Sequence, residues 1–430
     1  SPGSLQILKS PSYNHGAMSR QPAAAFFLLG FILAVSVRPA AGQLVLGQYE
    51  DEAPLGTWNT FPAGTAAGLG RGTASLAWAD SWLSARTNPA LLAFLPRSAV
   101  VLSGLFQLAQ CQRFSLVNTG VVRSDQPLQA SAYSPDGIAA GWRGGSWAAA
   151  AAVGVWESYN RPTVQIDESS AGLTSYRFDF SQTGRLWAGT VAAACRIGRT
   201  FSLGLSLHVL WGPLERRYTE SWIGQGFELA DVKEMDFRGL VPQGGIAWEP
   251  SPEWTLGAVV RGPWTKRSRA ESSVTYAATG GQTISILDSA DDDRFGQPWV
   301  AGLGAAFRPL SGLTIASDAI WFGWSGYAPR VFGEELSRDF RDVVRLSLGA
   351  EWQSDIRLFG RTFEYPLRIG LIYDPQPMRD PRSAYLDLTF GVGLGRKGFR
   401  VDLGALIGRE SGSGDDLTVR RVGLSFSEEF

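Results

Sequence analysis

Few side chains of this 430-residue chain are placed to do chemistry together. His208 lies two residues after Ser206, so on an extended strand the two side chains share one face. A hydrolase would need such a base and hydroxyl at hydrogen-bond distance, with a third group that orients the base. The only other histidine, His15, lies upstream of the part of the chain that we expect to fold. We therefore interpret His208 as structural, predict no catalytic residues and expect that the protein is not an enzyme.

Eight further charged residues fall on the same side of their predicted strands as the small and polar side chains. They are Arg261, Arg345, Arg368, Arg400, Asp318, Glu351, Asp387 and Asp402. Most of them should pair with one another across neighbouring strands. A guanidinium can also bind a carboxylate in a bidentate manner, so an anionic ligand is a second possible partner for these arginines.

The sequence predicts no metal, cofactor or nucleic-acid site. The acidic run Asp291–Asp293 lacks the full oxygen-ligand pattern of a Ca²⁺ loop and is interpreted as a solvated loop. Cys111 and Cys195 have no CxxC spacing, and they either pair or are two unrelated strand residues. The sequence contains no GxxxxGK[ST] phosphate loop, and its formal net charge of −1 gives no field for nucleic acid.

The N-terminal region has the pattern of a secretory leader. After Met18, one basic residue is followed by the apolar run Ala23–Val37 and by small residues before Gln43. We expect residues 1–17 to be an upstream extension and residues 18–42 to be a signal peptide. A transmembrane anchor is the alternative, but the run is shorter than the about 20 apolar residues that span a bilayer.

Beyond the leader, apolar residues alternate with period two. In Phe201–Trp211 the odd positions are large and apolar, whereas small or polar residues such as Ser202 and Gly204 occupy the other face. The pattern recurs in 299–308 and 345–352. No later window approaches 18 consecutive apolar residues, so helical membrane spans are not predicted. A soluble sandwich and a membrane barrel would both alternate in this way.

Two features favour the membrane barrel. Short links, such as Ile197–Thr200 and Arg308–Gly312, alternate with long polar segments, such as 213–236 and 263–297. This is the asymmetry between the periplasmic turns and the outer loops of outer-membrane barrels. The last alternating segment ends in Phe430, which resembles the signal that the barrel assembly machinery recognises.

Fourteen alternating segments predict an all-β fold, a 14-stranded antiparallel transmembrane β-barrel over residues 97–430. Residues 43–96 precede the first strand, and we expect them to form an N-terminal hatch in the lumen. A barrel of this size encloses more space than its own side chains fill. Within the hatch, Pro89 fixes its own φ and keeps Asn88 out of helical geometry, so the pair should end one short segment and start the next.

The segment Ala66–Arg97 resembles the hatch of the FadL-type family of outer-membrane transporters. The hatch residues that carry this resemblance are Gly68, Gly70, Arg71, Asn88, Pro89 and Ala90. The late strands are also similar to those of the family: Asp318 precedes Trp324, an LGAE-aromatic run spans Leu348–Trp352, and an arginine-glycine run spans Leu367–Gly370.

The resemblance implies a transporter in the bacterial outer membrane, surrounded by outer-membrane lipid. It would take up long-chain fatty acids or other hydrophobic small molecules passively through a plugged barrel. The candidate capture surface consists of Trp222, Ile223 and Phe227. Such aromatic residues also form the interfacial girdle of membrane barrels, which is the alternative for them. The candidate ligand-binding residues in the lumen are Arg345, Arg368 and His208.

One segment departs from the family pattern. Gln43–Ala63 is longer than the lead-in of the fatty-acid members. The alternative function is therefore that of a shuttle or structural barrel of a protein secretion system, similar to the type IX system, whose barrels share the fold and a similar hatch but handle proteins.

Overall fold

The alternating segments form antiparallel strands, and the last strand pairs with the first. A computed structural model describes residues 64–79, 81–95, 99–111, 114–115, 123–124, 128–159, 164–170, 173–278, 281, 283–331, 334–335, 339–379, 382–412 and 418–429. Within them, the backbone pairings run through fourteen strands and close a ring. In ring order these strands are β1 (Ala99–Cys111), β4 (Leu128–Gly144), β5 (Trp147–Ser158), β7 (Leu173–Ile197), β8 (Phe201–Trp222), β9 (Phe227–Ser251), β10 (Trp254–Arg261), β13 (Val300–Leu310), β14 (Leu313–Phe322), β17 (Val343–Leu358), β18 (Arg361–Pro375), β19 (Ala384–Arg396), β20 (Phe399–Ser411) and β21 (Thr418–Glu429).

The main sheet contains nineteen strands, more than the fourteen predicted. The additional ones are β6 (Val164–Ser170), β11 (Trp264–Ala278), β12 (Thr283–Gln297), β15 (Ala328–Val331) and β16 (Glu334–Glu335), and a separate pair is formed by β2 (Phe114–Ser115) and β3 (Arg123–Ser124). They lie in the long connections that the sequence predicts as polar loops. That prediction is wrong for 213–236 and 263–297, because these segments continue as hairpins beyond the ring. In these hairpins polar residues lie on both faces of each strand, so the sequence shows no alternation of apolar and polar residues there.

The connections alternate in length around the ring. Short turns join β4 to β5, β7 to β8, β9 to β10, β13 to β14, β17 to β18 and β19 to β20. Gly145, Gly198 and Gly312 have φ angles of +59°, +67° and +86° in three of these turns. Glycine is favoured at such positions because it lacks the Cβ that makes positive φ costly. The long connections all lie at the opposite end of the ring, as predicted.

The outer face of the ring is apolar. Leu205 and Leu303, for example, are 72% and 67% exposed. Exposed aromatic residues lie above and below this aliphatic band. Those near the short turns are Trp142, Trp147, Trp248, Trp254 and Trp352, and those near the long connections are Trp211, Trp299, Trp321 and Tyr373. An apolar band between two aromatic girdles is the surface of a transmembrane β-barrel.

The inner face is packed against residues 64–95. These form one short α-helix, α1 (Ala66–Gly70), and two 3-10 helices, η1 (Trp82–Arg86) and η2 (Pro89–Phe94). A third 3-10 helix, η3 (Trp324–Gly326), lies between β14 and β15. Trp82 and Leu83 of η1 are 1% and 0% exposed and pack on alanines of the inner wall. The core therefore lies inside the ring.

Several sequence predictions lie outside the described residues. These are the upstream extension, the signal peptide, the first part of the hatch (43–63) and the terminal Phe430. The described residues fall within one compact unit, Leu44–Phe430. Among them, no helix has the length and hydropathy needed to cross a bilayer.

Candidate functional site: the hatch and the lumen

The hatch begins and turns at capped helix ends. Thr65 caps α1 by accepting a hydrogen bond from the Gly68 amide at 3.0 Å. Asn88 caps η2 in extended geometry (φ −131°), with Pro89 as the first helical residue and the Ala90 amide 3.1 Å from its side-chain oxygen. Pro is favoured at this position because its missing N–H would have no partner there. The Asn-Pro pair thus separates η1 from η2, as the sequence predicts.

A belt of wall glycines allows the hatch backbone to lie directly on the wall backbone. A Cβ added at Gly257 would lie 1.8 Å from the Leu76 carbonyl oxygen, and one at Gly349 would lie 2.1 Å from the Arg71 oxygen. The glycines that approach the hatch in this way are Gly204, Gly245, Gly257, Gly304, Gly349, Gly370, Gly391 and Gly404. All eight are paired with each other across strands, for example Gly204 with Gly245. No larger residue fits at such distances without displacing backbone.

Wall side chains hold the first hatch segment by its backbone. Asp318 on β14 accepts hydrogen bonds from the amides of Ser75 (2.7 Å) and Leu76 (3.0 Å). Thr389 on β19 accepts a bond from the Gly72 amide at 2.9 Å and donates one to the Gly70 carbonyl at 3.1 Å. All of these groups are buried away from water, so the wall side chains supply the hydrogen-bond partners that the hatch backbone needs.

A second set of wall residues holds the Asn-Pro segment. The Asn88 side-chain nitrogen donates to the carbonyls of Leu76 at 2.7 Å and Ile246 at 3.0 Å. Gln243 on β9 donates to the Thr87 carbonyl at 2.7 Å. Asn88 therefore ties the two hatch segments to each other and to the wall.

The two candidate arginines have different environments. Arg368 is bound by Glu351 and by Asp402, the latter at 2.7 Å, and Arg71 of the hatch lies 3.8 Å from Glu351. Arg345 donates one hydrogen bond, at 2.8 Å, to the hydroxyl of Thr73 in the hatch. Arg368 thus has carboxylate partners on neighbouring strands, which is the pairing that the sequence predicts for most of the charged residues in the lumen. Arg345, in contrast, contacts the hatch.

His208 is fully buried in the lumen beside Trp156, with 4.9 Å between the ring centroids. Its Nδ1 lies 2.9 Å from the Thr190 hydroxyl and its Nε2 lies 3.2 Å from the Ser206 hydroxyl. Both ring nitrogens therefore have hydroxyl partners, as expected of a structural residue.

Above the hatch the lumen contains a pocket rich in tryptophan. Trp156 continues the series of inward-facing positions of β5, and a β-bulge between Val155 and Glu157 brings Glu157 to the same face. The Arg261 guanidinium lies 4.5 Å from the Trp156 ring centroid. The lining residues are Trp156, Glu157, Arg261, Trp264, Gln297, Pro298, Val300, Phe322 and Trp324. The free volume is about 20 Å³, room for about one water. A larger molecule must displace aromatic side chains to occupy this pocket.

The lip of the pocket is held by a polar contact outside the wall strands. Asp342, just before β17, accepts a hydrogen bond from the Ser325 amide at 2.9 Å. The hydroxyl and the amide of Ser325 lower the pKa of Asp342 below its ordinary value. This contact fixes η3, which carries Trp324, beside the wall.

A buried charged cluster lies next to the pocket. Lys266 is fully buried, 2.9 Å from the Tyr159 hydroxyl and 3.4 Å from a Glu157 oxygen. Its ammonium also lies 4.8 Å from the Phe237 ring centroid. Ion pairing and ring contact together compensate for the loss of water around this cation.

The candidate capture residues lie at the tip of the β8–β9 hairpin. Trp222 and Phe227 stack with their ring centroids 4.6 Å apart, and Ile223 is 49% exposed. Tyr176 of β7 and Tyr276 of β11 join the stack at 5.5 and 5.8 Å. Trp222 and Phe227 thus belong to an aromatic cluster that extends over neighbouring hairpins far from the short-turn girdle, and Ile223 lies exposed at the same hairpin tip.

The acidic run and the cysteines have structural surroundings. Asp293 is buried in β12 with Lys233 at 3.9 Å, so its prediction as part of a solvated loop is wrong. Cys195 has a free thiol. In the part of the chain that the structure describes, no group of three or more potential ligands is arranged for a metal ion.

Sequence reasoning missed the pocket. Its three tryptophans, Trp156, Trp264 and Trp324, come from three segments that are far apart in the sequence, and Glu157 faces inward only because of the bulge in β5. The sequence contains one indication of this region: the prolines near Trp264 and Trp299 interrupt the alternating pattern of their strands. Arg261 was placed in the lumen by strand parity, but its contact with a tryptophan was not predictable.

Solved structures with this architecture were found at low sequence identity. The Pseudomonas putida toluene transporter TodX matches with a TM-score of 0.66 at 14% identity, covering 88% of this chain and 100% of that one. A Pseudomonas aeruginosa FadL homologue matches at 0.63 and 13%, with the same coverage. The Ralstonia pickettii toluene transporter TbuX matches at 0.59 and 15%, covering 85% and 98%. No family model and no curated protein matches the sequence. The chain therefore has the fold of the FadL-type outer-membrane transporters.

Proposed function

We propose that this protein resides in the bacterial outer membrane and mediates passive uptake of hydrophobic small molecules. The observation that carries the proposal is a tryptophan-lined pocket in the lumen of an apolar-surfaced barrel, closed on the short-turn side by a tightly seated hatch. Aromatic walls with a few polar groups are typical of small-molecule sites. Support also comes from the structural likeness to two proteins described as toluene transporters.

The proposed path begins at the capture cluster of Tyr176, Trp222, Phe227 and Tyr276. A hydrophobic molecule would bind these half-buried rings and pass inward to the pocket around Trp156. Burial of its apolar surface supplies the driving force, roughly 25 cal/mol for each Å² removed from water. Such a path requires no nucleotide.

A fatty acid would also need a cation near its carboxylate. Arg345 is the better of the two arginine candidates, because Arg368 already binds Glu351 and Asp402. The single side-chain bond from Arg345 to Thr73 would place a bound carboxylate in contact with the hatch. A neutral hydrocarbon would not use this residue.

No contact among the described residues favours the secretion shuttle that the sequence left open. The lumen pocket has room for about one water and is surrounded by packed aromatic rings. A protein could therefore pass only if the hatch and the side chains that line the pocket moved out of the lumen together. Catalysis by His208 is equally unsupported, since its two nitrogens face hydroxyls of Thr190 and Ser206.

The proposal is tested by filling the pocket. Val300 is 5% exposed and lines it, so Val300→Trp should occupy the ligand's place. Uptake of radiolabelled toluene by cells that lack their own transporter should fall to the level of cells without the protein. The matched control is Val344→Trp, because Val344 is 43% exposed on the outer face. Unchanged uptake in the Val300 variant would refute the assigned path.

A further inference from the structure

The tryptophan pocket contains one buried polar group that the surrounding protein leaves without a partner. Gln297 ends β12, is 6% exposed and lines the pocket. It follows Asp293 and Phe295 in the series of inward-facing residues of this strand, and its backbone pairs with Trp264 of β11. Its Nε2 has no hydrogen-bond partner within the described structure. An amide nitrogen with two N–H donors therefore borders the pocket without an acceptor.

The other buried glutamines among the described residues all use this nitrogen. Gln182, Gln243 and Gln376 each donate it to a backbone carbonyl, at 2.9, 2.7 and 3.0 Å. A buried amide that lacks such a bond destabilises the fold, so most buried side-chain amides are bonded. The exception, Gln297, lies where the proposed ligand would bind.

The two charged side chains of the pocket already have partners. Glu157 accepts hydrogen bonds from the Tyr159 hydroxyl at 2.6 Å and from the Lys266 ammonium at 3.4 Å. Arg261 donates two hydrogen bonds to the side-chain oxygen of Gln243, at 2.9 and 3.2 Å. An ionised ligand would add an uncompensated charge to this buried site, which is costly. The ligand that fits here is therefore uncharged.

The rest of the lining suits a flat apolar body. Trp156, Phe322 and Trp324 are buried and line the pocket, and aromatic rings pack well on one another. A hydrocarbon in this space would cover the Gln297 amide with apolar surface and leave its N–H groups unbonded. An oxygen or nitrogen acceptor on the ligand would bind them instead. A buried polar group of this kind discriminates between two ligands of equal shape.

We propose that Gln297 determines the specificity of the lumen pocket, whose preferred ligands are uncharged aromatic molecules with one hydrogen-bond acceptor, such as a ketone, nitrile or nitro group. The ring packs on the tryptophans, and the acceptor binds the Gln297 Nε2. Hydrocarbons follow the same path and bind less tightly. This inference deepens the proposed uptake function and rests on it.

Competition against toluene uptake measures this preference. The competitors are acetophenone and α-methylstyrene, two molecules of nearly the same shape in which a carbonyl oxygen replaces a methylene group. For each, we would measure the concentration that halves the protein-dependent uptake of radiolabelled toluene. The ratio of the α-methylstyrene value to the acetophenone value expresses the preference for an acceptor. Comparing this ratio between variants removes the difference in hydrophobicity between the two competitors.

The ratio should fall when the amide is removed. Gln297→Met keeps an unbranched side chain of similar length without N–H donors, and the ratio should fall roughly ten-fold, the effect of one hydrogen bond. Gln297→Leu should give the same loss with a different shape. The control, Gln353→Met, removes an exposed amide near a short turn and should leave the ratio unchanged.

An unchanged ratio in both Gln297 variants would overturn the role of Gln297 and leave the proposed uptake function standing. Loss of toluene uptake in both variants would overturn it as well, because removal of the amide should leave the apolar path open. If the unmodified protein does not accelerate toluene uptake at all, the proposed function fails and this inference fails with it.

Discussion

At the scale of single residues, the buried charges of the lumen serve mainly to hold the hatch and the wall together. Asp318 binds two hatch amides, and Arg368 lies between two carboxylates. Strand parity predicted that these side chains point inward. It could not predict their partners, because the pairing of Glu351 with Arg368 depends on the register set by the turn at Phe359 and Gly360.

Replacing Asp318 should loosen the hatch. Asp318→Ala removes the acceptor of two buried hatch amides, and leaving a buried amide without its acceptor costs about 1–3 kcal/mol. We expect more frequent opening events and a higher mean ion conductance in planar bilayers. Asp355→Ala is the control, since Asp355 is exposed near a short turn. Conductance equal to that of the unmodified protein would show that the hatch does not depend on this contact.

Replacing Arg368 should destabilise the barrel. Arg368→Ala leaves Glu351 and Asp402 buried without their guanidinium, and breaking a buried ion pair by removing one partner costs about 3–5 kcal/mol. The urea midpoint of unfolding in detergent should fall, while Arg357→Ala on an exposed part of β17 should leave it unchanged. Equal midpoints for the two variants would show that the ion pairs of Arg368 do not stabilise the barrel.

At the scale of elements, the fold follows from period-two alternation and from glycine. The wall strands were predictable because lipid and lumen select opposite residue types along each strand. The outer hairpins β8–β9 and β11–β12 were not, because polar residues occupy both faces once the strands leave the membrane. The belt of glycines against the hatch was visible as composition only, since its meaning depends on cross-strand rows such as Gly204 with Gly245.

The glycine belt gives a prediction for the hatch as an element. In Gly257→Ala the new methyl group would lie 1.8 Å from the Leu76 oxygen, so the hatch must shift away from the wall. We expect ion leakage through a barrel that still assembles. In the control, Gly244→Ala, the methyl group meets its nearest side chains at 3.8 Å, an ordinary contact. If both variants stay closed in planar bilayers, the hatch does not seal by backbone contact.

At the scale of the whole molecule, a membrane-embedded wall encloses a hatch that blocks water and an aromatic pocket that suits apolar molecules. Composition and strand count predicted the barrel. Its ligand pocket could not be predicted, because it depends on the bulge in β5 that brings Glu157 inward beside Trp156, the prolines beside Trp264 and Trp299, and the placement of η3 above the lumen. All three are tertiary features that override simple alternation.

The most direct test of this account compares two solutes in the same cells. Cells that contain the protein, and cells of the same strain without it, are given radiolabelled toluene or a small hydrophilic sugar, and initial uptake rates are measured. Because the hatch closes the lumen to water while the pocket accepts apolar molecules, the protein should accelerate toluene uptake and leave sugar uptake unchanged. Equal acceleration of both solutes would show an open pore, and no acceleration of toluene would contradict hydrophobic transport.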